Sequence, residues 1–177
     1  MDYYKKDQLV ALVDENDKIT GKLDKWEAHK KGLLHRGFTV CLFYKDQIIL
    51  QHRKHPVFDG VYDLTFSSHP VYKEDILQDN LAAVYESLLR EWNIKKEDLL
   101  YQPIQKGPFY YKAKDPRSEY TEHEMCHLYV SEVTMLPSPN YDFAYGFSLV
   151  PKNKLIAKEA PIITTFAPWV PKLLEVL

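Results

Sequence analysis

Apolar residues occur along this chain mainly in short runs rich in β-branched and aromatic side chains, and polar turn residues separate the runs. Such runs predict strands, and a short polar link between two of them predicts a hairpin. One hairpin is expected from residues 8–13 and 19–23, and a second from residues 38–44 and 47–52. Further strands are predicted at residues 62–66, 101–113, 122–133 and 145–149.

One long stretch has the period of an amphipathic helix instead. Its apolar residues are spaced three and four positions apart, at Leu81, Val84, Tyr85, Leu88 and Trp92. This stripe is expected to pack on the sheet, with Asp79 as the N-cap and Asn93 as a left-handed stop. Shorter helices are predicted between the cap Asp24 and Gly32, at residues 153–158, and from about Pro168 onward.

These elements predict an α+β fold, because strands outnumber helices and antiparallel hairpins dominate. The helices should lie outside a mixed sheet. The chain has 177 residues, 45% of them apolar, which is enough for one substantial core. No Gly/Ser-rich linker divides it, so residues 1–177 are expected to form a single domain.

Charge and cysteine content narrow the class of protein. The net charge of −2, with both signs interspersed, gives no basic stripe for a nucleic-acid partner. The chain has two cysteines, which is too few for a disulfide framework and fits a reducing compartment. No apolar run is long enough to span a membrane, so we expect a cytoplasmic protein with no membrane partner.

A group of possible metal ligands is the strongest pointer to chemistry. Glu122 and Glu124 are two residues apart in a predicted strand, so both carboxylates point to one face. His29, His35 and His69 come from two other stretches of the chain and are compatible with the same site. Each residue alone is equally compatible with a solvated strand face or a packed imidazole.

Six short motifs occur in this chain in the same order as in a known family. They are Leu12-Val13-Asp14-Glu15-Asn16-Asp17, Gly21-x-x-x-Lys25-x-x-x-His29, Leu34-His35-Arg36-x-Phe38, Ser67-Ser68-His69-Pro70, Glu122-His123-Glu124 and Phe166-Ala167-Pro168-Trp169. In this order and at this spacing, the chain resembles type 1 isopentenyl-diphosphate isomerases, a branch of the Nudix superfamily. The resemblance covers nearly the whole chain and implies a Nudix-type α/β/α sandwich with a mixed, largely antiparallel sheet.

The resemblance implies a divalent-metal cofactor. In that family the metal is held by residues that match His29, His35, His69, Glu122 and Glu124. Imidazole and carboxylate ligands suit a borderline ion, with Mn or Zn as options beside Co and Fe. The family also recruits Mg through the substrate diphosphate and a helix carboxylate that matches Glu91, as expected of a hard cation.

The resemblance also implies a reaction and a small-molecule diphosphate substrate. The family moves a carbon–carbon double bond by adding and removing a proton on opposite faces of the substrate, which needs two acid/base groups. Glu124 matches one of them, and Tyr111 matches a tyrosine that assists it. Trp169 matches a tryptophan that faces the carbocation, and Lys25 and Arg53 match cations that bind the diphosphate. Tyr111 and Trp169 are equally compatible with ordinary packing.

Two departures from the family pattern affect this interpretation. Ser67 stands where the family has its second acid/base group, a cysteine, and a hydroxyl does not ionise readily near neutral pH. Cys126 is expected on the Glu124 side of the substrate, so rescue by its thiol is disfavoured. Glu86-Ser87 stands where the family carries paired arginines, which puts a negative charge where the diphosphate needs a positive one.

Two other function classes therefore stay open. One is a Nudix hydrolase that cleaves a nucleoside diphosphate derivative, although only part of the hydrolase box is present around Glu74, Glu86 and Glu91. The other is a diphosphate-binding protein with weak or no catalysis. The sequence does not determine the oligomeric state.

Overall fold

The computed structural model describes residues 3–157 and 159–177. Within this part of the chain, nine strands form one sheet and two more form a separate small hairpin. The strands are β1 Leu9–Val13, β2 Ile19–Asp24, β3 His35–Tyr44, β4 Gln47–Arg53, β5 Tyr62–Asp63, β6 Phe66–Ser68, β7 Tyr72–Lys73, β8 Ile76–Leu77, β9 Ile104–Lys114, β10 Thr121–Glu132 and β11 Ala144–Pro151.

The helices begin and end largely where the sequence signals predicted. They are α1 Lys25–Lys31, α2 Asn80–Trp92, α3 Lys152–Ile156 and α4 Val170–Leu174, with short 3-10 turns at Tyr3–Lys5, Lys96–Asp98 and Pro161–Thr165. The Asp24 carboxylate caps α1, and the Asp79 carboxylate caps α2 by accepting bonds from two backbone N–H groups. Gly32 and Asn93 end these helices in the left-handed conformation, which satisfies terminal carbonyls.

Strand β3 is the centre of the sheet. It runs antiparallel to β1, β4 and β6, and parallel to β10 over nine paired residues. Strand β10 in turn pairs with β9 in antiparallel register. The sheet is therefore mixed and largely antiparallel, as predicted. Because β3 and β10 are neighbours, His35 and Glu124 lie side by side.

Side chains alternate between two cores, one on each face of the sheet. On β3, Phe38 and Leu42 contact the α2 side, where Leu88 and Trp92 complete the core. Cys41, on the opposite face, belongs to a second core. Leu155 of α3 and Val170 and Leu173 of α4 contribute to that core. Helices thus cover both faces, which gives the predicted α/β/α sandwich.

A few boundaries differ from the prediction. The strand predicted at residues 62–66 is divided into β5, which pairs with β4, and β6, which pairs with β3. Leu64 and Thr65 lie between the two strands and belong to neither ladder. Strand β9 begins at Ile104 rather than at residue 101, and the hairpin of β7 and β8 was not predicted. The helix predicted at residues 153–158 is α3; residue 158 lies outside the described residues.

The described residues contain no helix that combines the length and the apolar composition required to cross a bilayer.

Candidate active site

Five metal-ligating side chains converge on one buried point. His29 comes from the end of α1, His35 from the first residue of β3, and His69 directly follows β6. Glu122 and Glu124 come from one face of β10. All five are buried, and one ligand atom from each lies within 4.8 Å of all the others. The structure therefore brings together the complete set that the sequence indicated.

Backbone carbonyls orient two of the three imidazoles. The Nδ1 atom of His29 lies 2.6 Å from the carbonyl oxygen of Lys25, and Nδ1 of His35 lies 2.8 Å from that of Leu33. A carbonyl oxygen accepts only, so each Nδ1 carries a proton and each Nε2 is the ring atom left for a metal. Both Nε2 atoms face the carboxylates, at 3.2 Å from Glu122 and 3.7 Å from Glu124.

Several of the converging atoms have no hydrogen-bond partner. Nε2 of His29, Oε2 of Glu122 and Oε2 of Glu124 are all buried and unpaired. An unpaired buried polar atom costs about 1–3 kcal/mol, so a group of such atoms needs an explanation. A divalent cation would bind all of them, and the donor set of imidazole nitrogens and carboxylate oxygens fits such an ion. The cluster can therefore hold a metal ion.

Gly37 makes room for the Glu124 carboxylate. A Cβ atom at this position would lie 2.2 Å from Oε2 of Glu124 and 2.4 Å from its carboxyl carbon. Any other residue would push the carboxylate out of place. Glycine is thus required here by the close approach of a side chain rather than by its backbone angles, and the sequence motif around His35 gave no direct sign of this.

The two carboxylates have opposite electrostatic surroundings. Burial and the charge of Glu122 raise the pKa of Glu124 well above its usual range. Burial also acts to raise the pKa of Glu122, but the imidazoles of His29, His69 and His35 outweigh it and hold that pKa well below its usual range. The two carboxyl groups therefore differ in proton affinity, and that of Glu124 is the higher.

Tyr111 lies beside Glu124, and Trp169 stacks on Tyr111. Tyr111 is paired with Glu124 across β9 and β10, and burial together with that carboxylate raises the pKa of the phenol well above its usual range. The rings of Tyr111 and Trp169 are stacked, with centroids 5.3 Å apart. The Arg53 guanidinium already lies 5.2 Å from the Trp169 ring centroid. An aromatic wall therefore borders the carboxylate.

Asp63 joins three of the predicted site residues, and sequence reasoning missed it. Its side chain is fully buried and accepts hydrogen bonds from Ser67 Oγ at 2.8 Å, Arg53 Nη1 at 2.8 Å and Trp169 Nε1 at 2.9 Å. A fourth bond comes from the backbone N–H of Leu64. The available signal was the carboxylate in the predicted strand at residues 62–66.

Ser67 belongs to a continuous chain of polar contacts. Its Oγ atom lies 2.8 Å from Oγ1 of Thr39, which in turn lies 3.4 Å from Sγ of Cys126. Burial and the charge of Glu124 raise the pKa of the Cys126 thiol well above its usual range. The thiol on the Glu124 side is thus connected through Thr39 to the serine, a connection the strand pattern alone did not reveal.

Of the remaining predicted residues, Lys25 and Glu91 are buried, whereas Glu86 is exposed. Lys25 is only 3% exposed, and its ammonium lies 4.7 Å from the Trp26 ring centroid; burial lowers its pKa to about 8. Glu91 is buried outside the group of five and accepts a hydrogen bond from Arg90 at 2.8 Å. Glu86 is exposed and paired with Lys73. Helix α2 therefore contributes one buried carboxylate, which is fewer than hydrolysis through this helix would need.

Solved structures with the same architecture identify the class of fold. A Deinococcus radiodurans protein superposes with a TM-score of 0.65 at 14% identity and covers 94% of this chain and 97% of its own. The MutT Nudix hydrolase of Burkholderia pseudomallei superposes with a TM-score of 0.55 at 18% identity, over 80% of this chain and 96% of its own. The chain thus has a Nudix-type fold. No protein-family model matches it.

Sequence relatives identify the family. The chain is 34% identical over 163 residues to the isopentenyl-diphosphate Delta-isomerase of Pectobacterium atrosepticum, covering 90% of this chain and 86% of that protein. It is 34% identical over 154 residues to the human isopentenyl-diphosphate delta-isomerase 2, covering 76% of this chain and 66% of that protein. It spans 51% of the chloroplastic isomerase II of Arabidopsis thaliana, at 35% identity. The chain belongs to the isopentenyl-diphosphate isomerase family.

Proposed function

We propose that this protein is a metal-dependent isomerase that moves the double bond of a five-carbon isoprenoid diphosphate. The observation that carries the proposal is the buried cluster of His29, His35, His69, Glu122 and Glu124. Tyr111 pairs with Glu124, and Trp169 stacks on Tyr111. The relatives named above are isopentenyl-diphosphate isomerases, which supports the same substrate class. An alkene is a weak base, so a proton donor must act in a dry cavity, and this cluster is buried.

The five residues would hold a divalent ion such as Mn or Zn, which would fix Glu124 and stabilise negative charge on it. Mg would enter with the diphosphate at Glu91, whose carboxylate lies outside the cluster. The proposed assignments rest on the unpaired ligand atoms of His29, Glu122 and Glu124.

Glu124 is the proposed acid/base on one side of the substrate. One of its oxygens lies 2.9 Å from Nε2 of His69, and the other is unpaired above Gly37. Tyr111, across the ladder from it, is a hydroxyl donor that would orient the carboxylate and steady its proton. The Trp169 ring, stacked on Tyr111 and anchored through its N–H on Asp63, would border the carbocation.

Ser67 is the proposed group on the other side. Its hydroxyl can donate to Asp63 and accept from Thr39, so it is held in one orientation. A serine held in this way can hydrogen-bond and relay a proton, but it is a weaker acid/base than a thiol. We therefore expect slow isomerisation relative to an enzyme with cysteine at this position.

The deciding experiment incubates the protein with Mg and Mn in deuterated water. One sample contains isopentenyl diphosphate, and parallel samples contain nucleoside diphosphate derivatives. We expect deuterium uptake with double-bond movement in the first sample only. A matched Glu124→Gln variant should abolish the exchange, because the proposed acid/base is lost while the shape of the side chain is kept. Phosphate or nucleoside monophosphate release without deuterium uptake would contradict the proposal and favour a hydrolase.

A further inference from the structure

Ser67 has a carboxylate directly behind it. Its Oγ atom lies 2.8 Å from Oδ2 of Asp63. Asp63 is fully buried, whereas Ser67 is partly exposed. A bound substrate can therefore contact Ser67 but reaches Asp63 only through the serine hydroxyl. An alkyl hydroxyl by itself is a poor acid/base near neutral pH, and an adjacent base is the usual means of activating one.

The direction of the hydrogen bonds at Ser67 follows from the groups around it. The Asp63 carboxylate forms an ion pair with Arg53, so it accepts and the Ser67 hydroxyl donates. Ser67 has one hydroxyl proton, so Thr39 is the donor in their contact of 2.8 Å. Thr39 then accepts from the Cys126 thiol, 3.4 Å away. The chain of bonds thus runs from Cys126 through Thr39 and Ser67 and ends at Asp63.

The Ser67 oxygen keeps one acceptor position that this chain does not use. A hydroxyl oxygen has two lone pairs, and Thr39 donates to one of them. A proton that arrives at the second lone pair can stay only if the hydroxyl gives up the proton it already carries. The bond to Asp63 provides the path for that proton. Ser67 would then carry one proton both before and after the transfer.

We propose that Asp63 is the final proton acceptor on the Ser67 side of the substrate and that it acts through Ser67 as a positioning residue. The inference rests on the proposed function, in which a tertiary carbocation loses a proton on this side. The C–H bond breaks, its electron pair forms the new double bond, and the proton binds Oγ of Ser67. The original hydroxyl proton moves to Oδ2 of Asp63. After product release, Asp63 returns this proton to water through the same hydroxyl.

Arg53 balances the charges in this transfer. Before the step, the substrate carries a positive charge, and the Asp63 carboxylate is paired with Arg53 at 2.8 Å. After the step, Asp63 is neutral and the positive charge remains on Arg53. Its guanidinium lies 5.2 Å from the Trp169 ring centroid, where an aromatic face favours a cation. A carboxylate paired with arginine is a weak base, but a carbocation loses a proton readily, so a weak base is sufficient.

The test measures the rate of double-bond movement in isopentenyl diphosphate, with Mg and Mn present, in two backgrounds. Beside Ser67, Asp63→Asn should lower the rate by about 100-fold, because an amide does not take up the hydroxyl proton. In a Ser67→Cys background, Asp63→Asn should leave the rate equal or raise it. A thiol ionises without help, and a neighbouring carboxylate opposes its negative charge. A purely structural Asp63 would lower both rates alike.

Asp115→Asn is the matched control. Asp115 is also a buried carboxylate that accepts a hydrogen bond from a serine, Ser118, at 2.6 Å. Its replacement should leave the rate per folded molecule unchanged in both backgrounds. Thermal unfolding and Mn binding, measured for every variant, ensure that folded proteins with equal metal content are compared.

The outcomes separate this inference from the proposed function. Equal losses for Asp63→Asn in the two backgrounds, or no loss beside Ser67, would overturn the inference alone. Movement in Ser67→Cys but none in the unmodified protein would do the same. No movement in any variant would contradict the proposed function as well. Thr39→Val should have a smaller effect than Asp63→Asn, and an equal loss would show that the proton leaves toward Cys126 instead.

Discussion

The two sides of the proposed substrate cavity differ in how completely their polar atoms are paired. On the metal side, the ligand atoms of His29, Glu122 and Glu124 are buried without partners. On the Ser67 side, Asp63 accepts four hydrogen bonds, and Ser67 contacts both Asp63 and Thr39. Unpaired buried atoms indicate where a ligand binds, whereas a closed network stabilises the fold. The cluster of His29, Glu122 and Glu124 can thus receive an ion, whereas the hydrogen bonds around Ser67 hold that side in one arrangement.

Removing Asp63 should have the largest effect on stability. It would test whether the hydrogen-bond network around Ser67 stabilises the fold. Asp63→Ala leaves the buried Arg53 guanidinium without its carboxylate, so we expect a loss of about 3–5 kcal/mol in the free energy of unfolding. Urea denaturation measures this loss. The exposed Asp75, which pairs with Lys22, gives the control Asp75→Ala, which should leave the midpoint unchanged. A similarly small effect for Asp63→Ala would show that the network is not structural.

Removing a proposed ligand carboxylate should reduce the stability that metal adds to the folded protein. Metal at about 100 times its Kd should stabilise the folded protein by about 2.7 kcal/mol, and Glu122→Gln should lose most of this gain. Thermal unfolding with and without Mn, together with metal analysis of the protein, measures it. Glu119→Gln, which alters an exposed carboxylate just before the same strand, should keep the full gain. Equal gains in both variants would exclude Glu122 as a ligand.

Filling the space at Gly37 should disturb the metal side with no change of charge. In Gly37→Ala the added Cβ would collide with the Glu124 carboxylate, so we expect a cost of about 1–3 kcal/mol and weaker binding of Mn. Gly146→Ala is the matched control, because its Cβ would meet nothing within 4 Å. If both variants bind Mn equally well, the position of Glu124 in the cluster is not critical.

Changing Ser67 to cysteine, the family residue, should have the smallest effect on free energy of these four changes. Its effect on the reaction should be the most direct. Ser67→Cys should raise the isomerisation rate by about tenfold or more, which corresponds to about 1.4 kcal/mol of barrier, because a thiol exchanges protons more readily near neutral pH. The rate of deuterium uptake into isopentenyl diphosphate measures it. Ser131→Cys, at a buried serine on β10, controls for an added thiol. Unchanged uptake at saturating metal would count against an altered isomerase.

Part of this molecule follows from local sequence rules. The capped and stopped helix α2, the two N-terminal hairpins and the shared face of Glu122 and Glu124 all depend on residues close together in the chain. Periodicity and capping act over a few residues, so these features were predicted correctly. The five residues that converge were also indicated together, because motifs at fixed spacing matched the family.

Other features depend on residues brought together only by folding. Asp63 lies 10 residues from Arg53 and 106 from Trp169 along the chain, and Thr39 lies 87 from Cys126. The division of the predicted strand at residues 62–66 likewise depends on two different partner strands. No local pattern encodes such contacts, because the pairing of β3 with β10 and the packing of α4 on the sheet determine them.

The sequence by itself determined the elements, the sandwich architecture, the ligand types of the metal cluster and the replacement of the family cysteine by Ser67. Only the tertiary structure decided which atoms of the cluster lack partners, why Gly37 must be small, and which side chains Asp63 pairs with. The physical reason is that hydrogen-bond pairing and steric room belong to the arrangement of atoms in space. The residue type determines which ligands a side chain can bind. Its neighbours in the fold determine which of its donor and acceptor atoms stay unpaired.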